Sequence, residues 1–199
     1  FIVPNMAVVP ILFFVISGVL MAASLEKYQG ENIGRETVKF IRGKLKGFWA
    51  YYVVAFVIAF VLYQIGSRNG IKDAAFSFTQ GIWELLLVQY AGFNKSIYFI
   101  GGTWYLSTMI IAFAILVPLA LKFKDTYRCV IAPLLCIFIY GYLFNEYQSI
   151  VKVNGYAGDR IYNSLLLAVS GITLGNCVYS LSKGLIAVNS KKGARIFLH

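Results

Sequence analysis

Charged side chains are scarce in this chain, since Asp, Glu, Lys and Arg make up only 13% of 199 residues while hydrophobic residues make up 59%. An average soluble domain is about a quarter charged, so this composition excludes a water-soluble domain of the same size. A run of about 20 mostly apolar residues is enough to cross a bilayer. The composition therefore predicts an all-α integral membrane protein, a multi-span helical bundle in contact with the lipid bilayer.

Residues that usually carry chemistry are also few. The single histidine is His199, the last residue, where a side chain without neighbours cannot be oriented as a general base. The three cysteines, Cys129, Cys136 and Cys177, lie in apolar runs at no metal-binding or redox spacing, which favours a packing role and predicts no metal site. Glu84 is interpreted as an interfacial residue rather than a proton carrier.

Five apolar segments are long enough to be spans. They cover residues 6–25, 48–65, 104–121, 129–144 and 161–181. Between the second and third spans, residues 81–90 form an apolar stretch that contains Glu84 and is too short to cross, which indicates an interfacial or re-entrant helix. The prediction is one transmembrane domain over residues 1–199, with five spans and one short helix.

The distribution of Lys and Arg predicts the orientation. Thirteen basic residues fall in the segments between the first and second spans, between the third and fourth, and after the fifth, against five in the remaining loops. Short cytoplasmic loops carry the excess of Lys and Arg, so the N-terminus is expected outside and the C-terminal tail in the cytoplasm of a cell whose plasma membrane holds the protein. Because these cations are interleaved with spans, the net charge of +10 does not indicate a nucleic-acid partner.

Small residues recur at four-residue spacing in the first and last spans, as Gly18 with Ala22 and Gly171 with Gly175. Such spacing lets two helix backbones approach closely in lipid. The pattern indicates packing rather than chemistry.

The basic segment from Phe40 to Trp49 alternates cations with apolar residues where the second span begins, through Arg42, Lys44 and Lys46. One interpretation is ordinary cytoplasmic charge beside an aromatic belt. The other is a binding site for a polyanionic ligand, such as the phosphates of a nucleotide-bearing cofactor. The residues alone leave both open.

Four segments, in this order, resemble motifs of the acyltransferase 3 family of multi-pass membrane acyltransferases. Phe13–Met21 resembles the family's "FFxxSGFL" span, and residues 40–52 resemble its basic juxtamembrane motif. Thr103–Ser107 resembles the "WxLS" start of a span, and Gly171–Tyr179 a later "GixLGxxxY" helix. The resemblance covers nearly the whole chain and marks Ser17, Trp104 and Ser107 as motif residues.

The resemblance implies transfer of an acyl group, usually acetyl, from acyl-CoA to a hydroxyl of a cell-envelope glycan or lipid-linked sugar. Acetyl-CoA or another acyl-CoA is then a co-substrate, and no permanently bound cofactor is expected. The resemblance also implies that Arg42, Lys44 and Lys46 bind the CoA.

The chain departs from the family pattern in two places. Lys44, Gly47 and Ala50 stand where the basic motif of the family resembles Arg, Arg and Pro. The family's catalytic His belongs to a span that would precede Phe1, so the chain is expected to be a fragment or a truncated relative. The alternatives are a polysaccharide or lipid transporter of flippase type, and an inactive truncated relative.

Overall fold

The computed structural model describes residues 8–28, 32–67, 70–91, 99–149, 156–157 and 161–196, and excludes the side chains of 71, 156–157 and 187–196. Helices dominate this part of the chain. They are α1 (Val8–Leu25), α2 (Ile33–Lys46), α3 (Trp49–Ser67), α4 (Ile71–Leu85), α5 (Trp104–Lys122), α6 (Lys124–Thr126), α7 (Ala132–Tyr147) and α8 (Asn163–Ile196). A π-helical turn, Tyr127–Ile131, joins α6 to α7, and β1 (Tyr156–Ala157) pairs antiparallel with β2 (Ile161–Tyr162) just before α8.

Five helical segments in the described residues are long and apolar enough to cross a membrane, as the sequence predicted. They are Val8–Leu25, Trp49–Ser67, Trp104–Lys122, Lys124–Tyr147 and Asn163–Ile186. The fourth is continuous from Lys124 through the π-helical turn, so it begins before the expected residue 129. Pro133, which has no N–H to donate, sits in the first turn of α7 and interrupts the α-helical hydrogen-bond pattern there.

The core of the bundle lies among α1, α5, α7 and α8. Of the span in α8, 50% is buried, against 11% of the span in α3. Leu167 and Ile172 of α8 are fully buried, together with Phe113 and Leu116 of α5 and Phe14 of α1. Helix α8 is therefore the central element, and α3 presents most of its apolar surface outward.

The four-residue spacing of small residues marks the closest helix contact. A Cβ atom placed on Gly18 would lie 2.1 Å from the Ile172 carbonyl oxygen, and one on Gly175 would lie 2.1 Å from the Val15 carbonyl oxygen. Only glycine allows the backbones of α1 and α8 to approach this closely. The packing interpretation of this pattern is confirmed at Gly18 and Gly175.

The short helix between the second and third spans lies earlier than its apolar run. Residues 81–90 were expected to form it, but α4 covers Ile71–Leu85, and residues 86–91 form turns with Leu87 at a φ of 56°. The first half of α4 mixes polar and apolar residues, with Asp73 in the first turn where the helix dipole favours an acid. At 15 residues, α4 is shorter than the roughly 20 that a span needs.

Helix α2 is amphipathic. Its two ends carry groups that stabilise a helix, and one aromatic residue packs it against the core. The Asn32 side chain accepts a hydrogen bond from the Arg35 N–H at 3.0 Å, which caps the start of α2. Lys44 and Lys46 lie in the last turn, where the helix dipole favours cations. The buried Phe40 ring packs edge-on against Phe113 of α5 at 5.2 Å between centroids, so α2 lies against the core with its basic residues on the remaining faces.

Candidate functional site

Polar side chains from distant segments meet just after the C-terminal end of α1. The Glu26 carboxylate accepts a hydrogen bond from the Arg128 guanidinium at 2.8 Å and one from the Tyr179 hydroxyl at 2.9 Å. The Lys183 ammonium donates to the same carboxylate. We call these four residues the Glu26 cluster, and it ties α1 to the π-helical turn and to α8.

The electrostatics of the Glu26 cluster keep its acid ionised. The hydrogen bond from Lys183 lowers the pKa of Glu26 most, with further lowering by Tyr179 and Arg128, while partial burial acts in the opposite direction. The carboxylate is the only acid of this cluster, so one negative charge is shared between two cations.

Replacement of Glu26 by Gln removes this charge and nearly preserves the side-chain volume. We expect E26Q to lower the free energy of unfolding at pH 7 by about 1 kcal/mol, since the ion pairs are partly exposed. The lowered pKa means that the contribution is present above the ordinary pKa of 4.5 and is lost as the pH falls through the folded-state value. Thermal unfolding in detergent, followed from pH 7 down to pH 4, should show the unfolding temperatures of E26Q and the wild type becoming equal.

The matched control for this measurement is Glu146→Gln, because the Glu146 side chain is exposed on α7. It should unfold like the wild type at pH 7. If E26Q also unfolded like the wild type at pH 7, the Glu26 cluster would not stabilise the bundle.

A cavity of about 360 Å³ opens beside the Glu26 cluster, between the C-terminal ends of α1 and α5, helix α6, the π-helical turn and Asn176 of α8. Its lining combines charged and apolar side chains: Ala22, Leu25, Glu26, Ala120, Leu121, Lys124, Asp125, Tyr127, Arg128 and Asn176. The Tyr127 side chain is 1% exposed, and among the described residues its hydroxyl has no hydrogen-bond partner. A buried hydroxyl of this kind can donate to, or accept from, a ligand that enters the cavity.

The three cations predicted from the basic segment do not act as one group. Arg42 and Lys46 are one helical turn apart and line a groove of about 500 Å³ with Leu45 and Trp49, which we call the α2–α3 groove. Lys44 lies on the other side of α2 and lines a groove of about 230 Å³, which we call the α1–α2 groove, with Ser24, Tyr28, Lys39, Phe40 and Gly43.

The two lysines of the α1–α2 groove are held over aromatic rings. The Lys44 ammonium lies 5.5 Å from the centre of the Phe40 ring, and the Lys39 ammonium lies 5.6 Å from that of Tyr28. Lys39 is also 3.9 Å from the Glu36 carboxylate, one turn earlier. Partial burial lowers the pKa of Lys44, so a bound anion would restore part of the solvation that this ammonium has lost.

Glu84 is buried among protein groups, a setting that its interpretation as an interfacial residue did not include. Its side chain is 0% exposed, and its carboxylate accepts hydrogen bonds from the backbone N–H groups of Phe99 at 2.6 Å and Ile100 at 3.0 Å. The Thr103 hydroxyl also donates to it, at 2.9 Å. The carboxylate is therefore buried because it satisfies the backbone just before α5, and it fixes the end of α4 to the start of that span.

The motif residues Ser17 and Trp104 lie at the contact between α1 and α5, whereas Ser107 of α5 contacts the turns after α4. The Ser17 hydroxyl is 3.4 Å from the Met109 sulfur, and Ser107 is fully buried, with its oxygen accepting the Tyr90 N–H at 3.3 Å. The Trp104 ring packs edge-on against Phe14. These contacts give the three residues packing partners, and their role in the reaction stays a prediction.

Sequence reasoning missed three residues around the C-terminal end of α1: Glu26, Lys39 and Tyr127. Glu26 had a visible signal, because it is the first acid after an uncharged run of 25 residues and precedes a basic segment. Lys39 and Lys44 are five residues apart on α2, so a helical projection places them about 140° apart and does not suggest a common site. They share one groove because the end of α1, with Ser24, contributes to its lining. The unpartnered hydroxyl of Tyr127 carries no sequence signal.

The helices and the buried polar contacts define a multi-span α-helical membrane protein. A family model described as an acyltransferase domain matches residues 8–195, nearly the whole chain. The chain therefore belongs to the acyltransferase 3 family, as its motifs indicated, and carries a membrane acyltransferase domain. Searches among curated proteins and among solved structures gave no match.

Proposed function

We propose that the protein transfers an acyl group, normally acetyl, from acyl-CoA to a hydroxyl of a cell-envelope carbohydrate in the plasma membrane. The observation that carries this proposal is the α1–α2 groove, where two lysines and two hydroxyl-bearing side chains face one opening. Phosphate oxygens are the ligands that such a group of donors suits best. Acyl-CoA carries several phosphates, and the matched family supplies the acyl-transfer chemistry.

The reaction exchanges one ester bond for another. The acceptor hydroxyl oxygen attacks the thioester carbonyl carbon while a general base takes the hydroxyl proton. The carbon–sulfur bond then breaks, and the protonated base returns this proton to the sulfur, so that CoA leaves as the thiol. The family resemblance assigns the base to a histidine. The residues around the C-terminal end of α1 are therefore proposed to bind and orient the donor and not to take the proton.

The donor is proposed to enter from the cytoplasm, because the segments around the C-terminal end of α1 carry the excess of basic residues. Its phosphates bind Lys39 and Lys44, with Gly43 leaving room for close approach because no atom lies within 4 Å of a Cβ placed there. Of the three residues predicted to bind CoA, Arg42, Lys44 and Lys46, the proposal keeps Lys44 alone, because only Lys44 lines the α1–α2 groove.

The test measures binding of acetyl-CoA to the full-length protein in detergent, by isothermal titration calorimetry. The double variant Lys39→Gln, Lys44→Gln should raise the Kd by about 100-fold or more, because hydrogen bonds to charged groups contribute about 1.5–3 kcal/mol each and one is lost at each lysine. Affinity should also fall as the pH rises through the lowered pKa of Lys44, since phosphate binds the protonated ammonium.

Two further variants locate the donor if this expectation fails. Arg42→Gln with Lys46→Gln makes the same charge change in the α2–α3 groove and should leave the Kd within about twofold. Lys124→Gln with Arg128→Gln alters the cavity beside the Glu26 cluster. A large loss of affinity in either pair, with none in Lys39→Gln, Lys44→Gln, would contradict the proposed donor site.

A further inference from the structure

The α2–α3 groove differs from the α1–α2 groove in the chemistry of its lining. It combines the Arg42 guanidinium and the Lys46 ammonium with Leu45 and the Trp49 indole. Among the described residues, neither Arg42 nor Lys46 forms an ion pair with a carboxylate. The groove thus presents two cations without counter-charges beside two large apolar side chains.

The position of this groove relates it to the membrane. Trp49 is the first residue of the α3 span, and Arg42, Leu45 and Lys46 precede it directly in the last turns of α2. Tryptophan and basic residues at the end of a span are typical of the headgroup region. The groove therefore lies where a phospholipid phosphate would be found.

Helix α3 continues from the groove with exposed apolar side chains. Val54, Val57, Ile58, Val61 and Leu62 are each 47–63% exposed. Such a surface accommodates acyl chains, whereas a soluble phosphate compound would gain nothing from it. The ligand that fits both parts has an anionic head and apolar tails.

We propose that the α2–α3 groove is a binding site for an anionic phospholipid. The headgroup phosphate accepts hydrogen bonds from Arg42, whose planar guanidinium can bind two phosphate oxygens, and from Lys46. Leu45 and Trp49 contact the glycerol region, and the acyl chains lie along α3. This site is separate from the proposed donor site, because the two grooves lie on opposite sides of α2.

The experiment reconstitutes the full-length protein in nanodiscs of phosphatidylcholine containing phosphatidylglycerol, and counts retained lipids by native mass spectrometry. Arg42→Gln with Lys46→Gln should lower the preference for phosphatidylglycerol over phosphatidylcholine by about tenfold. Lys39→Gln with Lys44→Gln removes the same charge from the other side of α2 and should change this preference less than twofold. Both double variants are at the surface of α2, and equal thermal unfolding would show that each is folded.

Three outcomes would overturn the proposal. The first is an unchanged lipid preference in Arg42→Gln, Lys46→Gln, and the second is an equal fall in both double variants, which would indicate net charge alone. The third is displacement of phosphatidylglycerol by millimolar inorganic phosphate or by CoA, which would make the groove a site for soluble anions. The first two results, and displacement by inorganic phosphate, leave binding of acetyl-CoA at Lys39 and Lys44 intact, so this proposal can fail while the proposed function stands. Only displacement by CoA bears on both.

Discussion

Replacing Gly18 with leucine should prevent α1 and α8 from packing and should abolish the folded bundle. Even the Cβ atom of the new side chain would lie 2.1 Å from the Ile172 carbonyl oxygen and 2.8 Å from its carbon, both backbone atoms that cannot rotate away. The helices would have to separate, and α8 would lose the contacts that make it the central element. We expect a loss of more than about 3 kcal/mol in the free energy of unfolding, because large cavities and overpacking rank among the most destabilising changes.

Gly175→Leu should have the same effect from the other helix, since its Cβ would lie 2.1 Å from the Val15 carbonyl oxygen. The matched control is Gly184→Leu in the same helix, where no atom lies within 4 Å of the added Cβ. Fluorescence-detected size exclusion and thermal unfolding in detergent would compare the three variants with the wild type. Wild-type thermal unfolding in G18L or G175L would show that α1 and α8 do not cross at these glycines.

Replacement of Gly18 or Gly175 would also disturb the Glu26 cluster. Glu26 directly follows α1, and Tyr179 lies one turn beyond Gly175 on α8, so the crossing sets the distance across which Glu26 and Tyr179 meet. A milder variant, Gly18→Ala, is therefore expected to weaken the Glu26–Tyr179 hydrogen bond as well as stability. The glycine crossing acts as a positioning element for the candidate site.

Glu84→Ala should be the most damaging change in the segment before α5. It removes the acceptor of the Phe99 and Ile100 backbone N–H groups, which lie at 2.6 and 3.0 Å from the carboxylate. Thr103 retains a second acceptor, the Ile100 carbonyl oxygen at 2.9 Å, so the cost falls mainly on the two N–H groups. At about 1–3 kcal/mol for each unsatisfied group, we expect E84A to lose about 3 kcal/mol of stability.

Glu84→Gln keeps one acceptor oxygen at the site and should lose less stability than E84A. Because Gln and Glu have nearly the same volume, this variant separates the effect of the hydrogen bonds from the effect of side-chain volume. Hydrogen exchange measured by mass spectrometry should show faster exchange at residues 99–103 in E84A, with the α1–α8 contact still protected. The exposed Glu146→Ala serves as the control. Unchanged exchange at residues 99–103 would mean that Glu84 does not hold the start of α5.

The spans were predictable because their signal is local. An uncharged run such as Val8–Leu25 must form a helix in lipid to satisfy its own backbone, whatever it packs against. The start of α4 was not predictable from hydrophobicity, because its first half is held by an amphipathic pattern and not by an apolar run. The burial of Glu84 depends on Phe99 and Ile100, which are 15 and 16 residues further along the chain.

The candidate site was predictable only in its charge. The basic segment left ordinary cytoplasmic charge and an anion-binding surface both open, and helical periodicity alone would have separated Lys44 from Arg42 and Lys46. The Glu26 cluster joins residues 102 and 153 positions apart, and no pattern in one sequence shows such contacts. Its assembly requires α8 to pass along α1, which the glycine spacing permits but does not specify.

The most direct test of the proposed function is transfer of labelled acetyl from acetyl-CoA to envelope polysaccharide by membranes that contain the full-length protein. The account predicts label in base-labile esters of the polysaccharide, with transfer reduced in Lys39→Gln, Lys44→Gln by the same factor as acetyl-CoA affinity at subsaturating donor. No transfer by folded protein that binds acetyl-CoA would contradict the proposed acceptor. Full transfer by Lys39→Gln, Lys44→Gln at low donor concentration would contradict the proposed donor site.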